Sequence, residues 1–302
     1  MKPLIRTRNG RTNLHVWRTG LLYEEQKGAI YRSEWNNILF SRLPQPPEEK
    51  NVLYFDIRRA LPYADRTFDG VFLLHVIEHL TPPEGELLLR EVYRVLKPFG
   101  LVRVSTPDLE DICRAYLKCL EGYDREPTEA GRIRYEWSVL ELLDQFVRTD
   151  SGGLMVEYIK NRRYDLSYAK ERYGDVFDEF HGRPPQPVAR KTFIQRLRQL
   201  TIKTFAEGIH RRFAERLGRP YFTPEEKVLR DPSRSGELNR WLYDRLSLEL
   251  LFKKTGFQKI SRKTFSTSDI PEWDRFDFER SNFGDHAFEP SLYMEAAKPG
   301  KT

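Results

Sequence analysis

Between Phe68 and Leu109 apolar runs alternate with an amphipathic stretch. Phe68 to Leu74, FDGVFLL, is short, apolar and bounded by charged and turn residues, the pattern of a strand covered on both faces. From Glu84 onward, Leu87, Leu88, Val92, Val95 and Leu96 recur at three- and four-residue spacing among Glu86, Arg90, Glu91 and Arg94. That spacing predicts a helix with one buried face. Lys97-Pro98-Phe99-Gly100 ends it, because Pro98 cannot continue a helix and Gly100 tolerates the positive φ of a cap. Leu101 to Ser105 is a second strand, closed by Pro107. A strand, helix and strand of these lengths form a right-handed βαβ unit in a parallel sheet.

The same period-two and short-run patterns predict strands at Thr12 to Trp17, Trp35 to Ser41 and Asn51 to Ile57. A helix-compatible segment, LLYEEQKGAIY, follows the first of them, and the proline-rich LPQPPEEK precedes the third. After Pro107 the rhythm changes: Leu109 to Leu120, Tyr135 to Val147, Leu154 to Tyr158 and Phe193 to Leu217 carry helical spacing without strands between them, broken by the loop RPPQPVARK. Alternation returns with a helix over Asn239 to Lys254 closed by Gly256, a strand over Phe257 to Phe265 and a last strand over Ser291 to Ala297. The chain thus divides into a first part of a doubly wound α/β domain (1–110), a helical insertion or cap (111–236), the completion of that domain (237–298) and a charged tail (299–302). Such a cap would lie over the carboxyl edge of the sheet, where open α/β folds bind ligands.

Composition narrows the class. In 302 residues, 39% hydrophobic and 32% charged content describe a globular protein. No apolar run approaches a bilayer span and the first residues, MKPLIRTRNGR, lack the apolar core of a secretory signal, so a cytoplasmic location is expected. Cys113 and Cys119 lie outside any metal-ligand spacing and read as buried free thiols. The net charge of +6 is a modest excess over many acids. It is concentrated in residues 190–219, which read either as a solvated helix covering the core or as a peripheral contact with a membrane or acidic partner. With no nucleic-acid module beside this helix, nucleic acid is an unlikely partner.

The words DIRRALPYADRTFDGVFLLHVIEHL, LLREVYRVLKPFGLVRVSTPDLE, YEWSVLELLDQFVRTDSGG, RWLYDRLSLELLFKKTGF and SLYMEAAKP, in this order from Asp56 onward, resemble the class I S-adenosylmethionine-dependent methyltransferases, particularly the type 11-like branch of predicted bacterial proteins. The resemblance implies a Rossmann-like, mostly parallel sheet of that type with a large helical insertion. It also implies S-adenosylmethionine as cofactor, with Gly20, Asp56 and Leu74 on the cofactor side. His75, Glu78 and His79 then sit at the carboxyl edge as candidates to orient or deprotonate an acceptor hydroxyl, a role suited to histidine. The implied reaction is methyl transfer to an oxygen of a polar acceptor, a glycan or small metabolite.

Two positions depart from the family pattern. Relatives enter a glycine-rich turn after the first strand, whereas this chain reads LHVWRTG, with Trp17, Arg18 and Thr19 before the single Gly20. Relatives end the second strand in an acid that bonds the ribose, whereas WNNILFS has Leu39 there. Together these predict a degenerate cofactor site. They leave open a catalytically inactive relative that binds a ligand or supports a protein partner.

Other residues carry two readings each. His75-Val76-Ile77-Glu78-His79 also fits the H-x-x-E-H word of zinc peptidases, which requires both histidines on one helix, although the methyltransferase reading needs no metal. Glu78 or His79 can instead cap a helix. Asp108 is either a substrate contact or the N-cap of the next helix. Tyr135 and Trp137 in the insertion, and Arg240 and Tyr243 where it closes, either grip the acceptor or knit the cap to the core.

Overall fold

A computed structural model describes residue 6 and residues 9–18, 36–40, 52–150, 152–160, 165–173, 238–276 and 290–300. Strands β1 (Asn13–Arg18), β2 (Asn36–Phe40), β3 (Val52–Phe55), β4 (Phe68–Leu74), β5 (Leu96–Pro107), β6 (Gln258–Lys263) and β7 (Ser291–Ala297) form one seven-stranded sheet in the order β3-β2-β1-β4-β5-β7-β6. β1 to β5 pair in parallel, and β7 runs antiparallel between β5 and β6. This is the mostly parallel, doubly wound sheet expected from the sequence. The strand order reverses beside β1 and β4, so the carboxyl ends of those strands frame a crevice.

The apolar runs are where burial requires them. Val71, Phe72 and Leu73 are fully buried in β4, as is Val102 in β5, and Leu88, Leu89, Val92 and Val95 of helix α1 (Pro82–Val95) cover one face. Helix α1 starts two residues before the predicted periodic stretch. Pro82 and Pro83 fit its first turn, and Glu84 accepts from both the backbone N–H (2.8 Å) and the hydroxyl (2.9 Å) of Thr81.

The segment after α1 differs from expectation: residues 97–100 form no separate turn but belong to β5, which starts at Leu96 rather than Leu101. The positive φ falls on Phe99, at +64°, not on Gly100. Gly100 is needed for close approach instead, since a Cβ there would lie 2.9 Å from the Lys97 carbonyl oxygen and 3.2 Å from that of Asp69.

After β5 the chain forms helices α2 (Leu109–Arg125), α3 (Glu129–Val147) and α4 (Gly153–Lys160), and residues 167–173 are also helical. Their own core gathers Trp137, Met155, Ile159, Ala169 and Tyr173. Cys113 and Cys119 are free but half-buried rather than fully buried, and Cys119 donates to the Tyr168 hydroxyl at 3.3 Å. Neither LLYEEQKGAIY nor the basic stretch 190–219 falls within the described residues. Among the described residues no helix is long and apolar enough to cross a membrane.

The helix predicted from Asn239 begins later: α5 is Arg245–Lys254. Asp244 caps it, accepting from the Ser247 N–H at 2.7 Å, and the preceding residues 238–243 form an extended strap over the sheet edge. Gly256 closes α5 with φ +95°, as the sequence predicts. A short helix, α6 (Trp273–Phe276), follows β6.

The antiparallel end of the sheet encloses an ion pair. Arg103 of β5 stands opposite Glu295 of β7, both side chains are fully buried, and they meet at 2.9 Å. Arg103 also donates to the carbonyls of Thr267 (2.9 Å) and Thr264 (2.8 Å) and lies over the Trp273 ring at 4.4 Å. Glu295 accepts from the Ser268 hydroxyl and, at 2.7 Å, from the Asp269 N–H. The pair thus orders the turn after β6. Glu295→Ala would strand a buried guanidinium, and we expect a loss of about 3–5 kcal/mol in urea-denaturation stability. A loss under about 1 kcal/mol would contradict this account.

Candidate active site

The carboxyl end of β4 turns sharply at His75, whose φ of +46° is unusual for a residue with a Cβ. Its N–H still donates to the Ser105 carbonyl at 2.9 Å, so the backbone stays tied to β5 while the imidazole is turned over the sheet edge. A single 3-10 turn, Ile77–His79, then brings Glu78 and His79 beside it. Because His75 lies outside this turn, the two histidines do not share the helical face that the zinc-peptidase word requires.

Glu78 is the centre of the cluster. Its Oε1 lies 3.2 Å from His75 Nδ1 and 3.8 Å from His79 Nε2, and the Thr106 hydroxyl donates to Oε2 at 3.2 Å. Burial by itself pushes this carboxyl up. The hydrogen bond from His75 and the positive charges of His79 and His75 outweigh it and hold the group below its ordinary 4.5.

A carboxylate only accepts, so in the neutral imidazole the His75 proton resides on Nδ1 and leaves Nε2 as the basic nitrogen. Two hydroxyls approach that nitrogen, Ser291 at 3.2 Å and Ser105 at 3.4 Å. His79 Nδ1 in turn donates to the Leu238 carbonyl at 3.1 Å.

The strap completes the wall. The backbone N–H groups of Arg240 (2.7 Å) and Trp241 (3.1 Å) both donate to the Glu78 carbonyl. Asn239 bonds the Gln145 carbonyl at 2.9 Å, joining α3 to the same point. Tyr243 pairs with Asp108, and its carbonyl accepts from the Leu109 N–H at 3.1 Å. The Tyr243 side chain is buried and its hydroxyl has no hydrogen-bond partner among the described residues. Burial, reinforced by the Glu78 charge, pushes that phenol up to about 12. A Cβ on Gly85 would come within 2.8 Å of this hydroxyl, so the glycine makes room for the ring.

The remaining sequence candidates separate. Asp108 is the N-cap of α2, accepting from the Glu110 N–H at 3.0 Å, and it also pairs with Arg262 at 2.9 Å. Asp56 follows β3 at the same sheet edge. Both of its oxygens accept from the Arg58 guanidinium, at 2.8 and 2.7 Å, and those hydrogen bonds hold its carboxyl below the usual range.

Leu74 is buried, with its backbone in register with Trp17 on one side and Ser105 on the other. Trp17 is likewise in register with Leu39. Gly20 lies outside the described residues. Tyr135 stacks with Tyr123 of α2, ring centroids 6.3 Å apart, and Trp137 is fully buried against Tyr158 and Tyr173. Both therefore knit helices together, the second of the two readings the sequence allows.

Sequence reasoning missed Ser105, Thr106, Ser291 and Leu238. No local signal marks them, because their partners are up to 216 positions away.

Residues 39–104 match the family model described as "Methyltransferase domain", Methyltransf_11. Two Klebsiella pneumoniae proteins named ubiquinone/menaquinone biosynthesis C-methyltransferase UbiE are each 40% identical over 70 residues, which is 22% of this chain and 27% of theirs. The chain therefore spans little more than a quarter of those relatives.

Among solved structures, a complex of the Haloferax volcanii Trm112 methyltransferase activator with a methyltransferase aligns over 98% of this chain and 84% of that one, at 10% identity and a TM-score of 0.38. A SAM-dependent methyltransferase of Methanosarcina mazei aligns over 96% and 94%, at 11% identity and a TM-score of 0.37. The family match is thus confined to residues 39–104, within a mostly parallel sheet of order β3-β2-β1-β4-β5-β7-β6.

S-adenosylmethionine is the cofactor this domain implies. The donor set fits it in part. The Asp56 carboxylate keeps lone pairs for an amino donor such as that of adenine.

The Glu78 environment sets a pH dependence. A carboxyl depressed on folding contributes stability above its unfolded value, and that stability is lost as pH falls through the folded value. Urea midpoints measured at stepped pH are expected to drop as pH falls below 4.5, and Glu78→Gln is expected to flatten that limb. An unchanged limb in the variant would assign the acid sensitivity elsewhere.

Proposed function

We propose that this protein transfers a methyl group from S-adenosylmethionine to a hydroxyl of a polar acceptor, a glycan or small metabolite. The observation that carries this reading is the His75–Glu78 pair at the carboxyl edge, with Nε2 facing two hydroxyls. Glu78 holds the imidazole in the tautomer with Nε2 unprotonated, beside the Ser291 and Ser105 hydroxyls, and it balances the positive charge that results when Nε2 takes a proton. Nε2 takes the proton of the acceptor hydroxyl as that oxygen is alkylated. The cofactor, when bound, supplies the electrophilic methyl group. Asp56 would accept from its adenine, and Leu74 would line its side of the crevice. The strap, with Arg240 and Tyr243, walls the acceptor side beside Asp108.

A second reading is transfer to carbon. The Klebsiella relatives that match this segment are named C-methyltransferases, and the same base would serve an acidic C–H. Labelled methyl from S-adenosylmethionine, followed by NMR of the product, separates an O-methyl from a C-methyl group. Removing the base in His75→Ala is expected to lower the incorporation rate by about 10²–10⁴-fold while leaving cofactor affinity within twofold. Incorporation unaffected by the substitution would overturn the role of His75.

We infer further that cofactor affinity is weakened by Leu39. A missing carboxylate forfeits a charge-assisted hydrogen bond of about 1.5–3 kcal/mol, one to two orders of magnitude in affinity. Calorimetric titration of Leu39→Asp is expected to show S-adenosylmethionine binding roughly 10-fold or more tighter than in the natural chain. Equal affinities, or a low-micromolar dissociation constant in the natural chain, would remove the argument for a degenerate site.

A further inference from the structure

The hydroxyl nearest the base in this structure is the protein's own. Ser291 opens β7 in register with Pro107 at the end of β5, which puts it at the carboxyl edge beside His75. Its Oγ lies 3.2 Å from His75 Nε2, and Nδ1 of the same ring lies 3.2 Å from Glu78 Oε1. The Thr106 hydroxyl fixes the second oxygen of Glu78 at 3.2 Å. A hydroxyl, an imidazole and a buried carboxylate thus follow one another at hydrogen-bond distance. Acyl-transfer enzymes join a serine nucleophile, its base and the group that orients the base in this order.

Three features distinguish this array from an imidazole satisfied only by its neighbours. His75 meets both partners from a backbone with φ +46°, which a residue with a Cβ adopts where its surroundings hold it there. In the neutral ring Glu78 takes the Nδ1 proton, so Nε2 accepts from the hydroxyl, the direction that removal of the Oγ proton requires. Ser105 lies 3.4 Å from the same nitrogen but is fully buried, whereas Ser291 and His75 are both partly exposed. Ser291 is therefore the hydroxyl that a substrate can reach.

We propose that Ser291 is a nucleophile activated by His75 and Glu78, and that this edge hydrolyses carboxylic esters. Ser291 Oγ bonds to the ester carbonyl carbon as its proton passes to His75 Nε2. The bond from that carbon to the alcohol oxygen breaks, and the alcohol leaves with the proton. Water then bonds to the same carbon, giving a proton to Nε2, and Ser291 Oγ departs with that proton as the carboxylic acid is released. Glu78 balances the imidazolium in both halves. No step uses S-adenosylmethionine, so this activity stands or falls separately from methyl transfer.

The test uses the full-length protein with no added cofactor. A biotinylated fluorophosphonate, which bonds to a serine oxygen through phosphorus as fluoride leaves, is added and the adduct is located by peptide mass spectrometry. The expected result is one adduct on Ser291, absent in Ser291→Ala and formed about 100-fold more slowly or worse in His75→Ala. With p-nitrophenyl acetate, the same mapping is expected to find acetyl on Ser291, and p-nitrophenolate release is expected to fall about 100-fold in Ser291→Ala.

No adduct on Ser291, or an adduct on Ser105 in its place, overturns the proposal, and both are read in the natural chain without relying on a variant to fold. Labelling that keeps its rate in His75→Ala overturns the activation by the base. Labelling of Ser291 without p-nitrophenolate release above that of Ser291→Ala overturns the esterase activity. Failure of the methyl-transfer reading shows separately, in the cofactor titration and in methyl incorporation.

Discussion

A buried carboxylate is tolerable only where its charge is matched and its lone pairs are used, and Glu78 imposes that constraint on the whole reacting edge. Its side chain recruits His75 from the end of β4 and Thr106 from the end of β5, with His79 beside it. Its carbonyl recruits the strap through Arg240 and Trp241. One residue therefore joins two parallel strands to the segment that closes the helical layer. The group that orients the proposed base is also the group that holds the wall of its site. A site built this way is rigid where chemistry needs rigidity, and its tautomer follows from packing.

The other end of the sheet solves a different problem with the same physics. Reversing direction at β7 brings Arg103 and Glu295 face to face inside the core, where either charge would be costly to bury alone. The pair is matched by loop carbonyls on one side and by a hydroxyl and an N–H on the other. This ties the β6 end to the body of the sheet and leaves β4 and β5 free to carry the reacting groups. The two buried charge clusters divide the labour: Arg103–Glu295 secures the architecture, while Glu78 spends its charge on a histidine that remains partly accessible.

Much of the architecture was legible in the chain. The apolar run of β4, the helical period of α1, the Asp108 cap and Gly256 each report a local rule, and local rules act on neighbours in sequence. His75, Glu78 and His79 were legible for the same reason, since five consecutive residues need only one turn to meet. Where local rules competed, the reading slipped. Asn239 to Asp244 has helical spacing, yet its N–H groups are spent on Glu78 and Gln145, and Asp244 starts α5 only afterwards. Gly100 was read for its φ, but the tight approach of two carbonyls is what requires it. Trp137 and Tyr135 looked as able to grip a ligand as to pack, and only burial separated the two roles.

By itself, then, the sequence determined the strands, the crossover helix and the short word that carries the proposed base, because each depends on contacts a few residues apart. Tertiary structure alone decided which nitrogen of the neutral His75 is basic and which hydroxyls face it. Those outcomes depend on Ser105, Ser291 and the strap, brought to the same place from positions 30, 216 and about 160 residues away. A one-dimensional pattern holds no record of such distances. Burial and charge balance, which act only once the chain is folded, select among the alternatives the pattern leaves open.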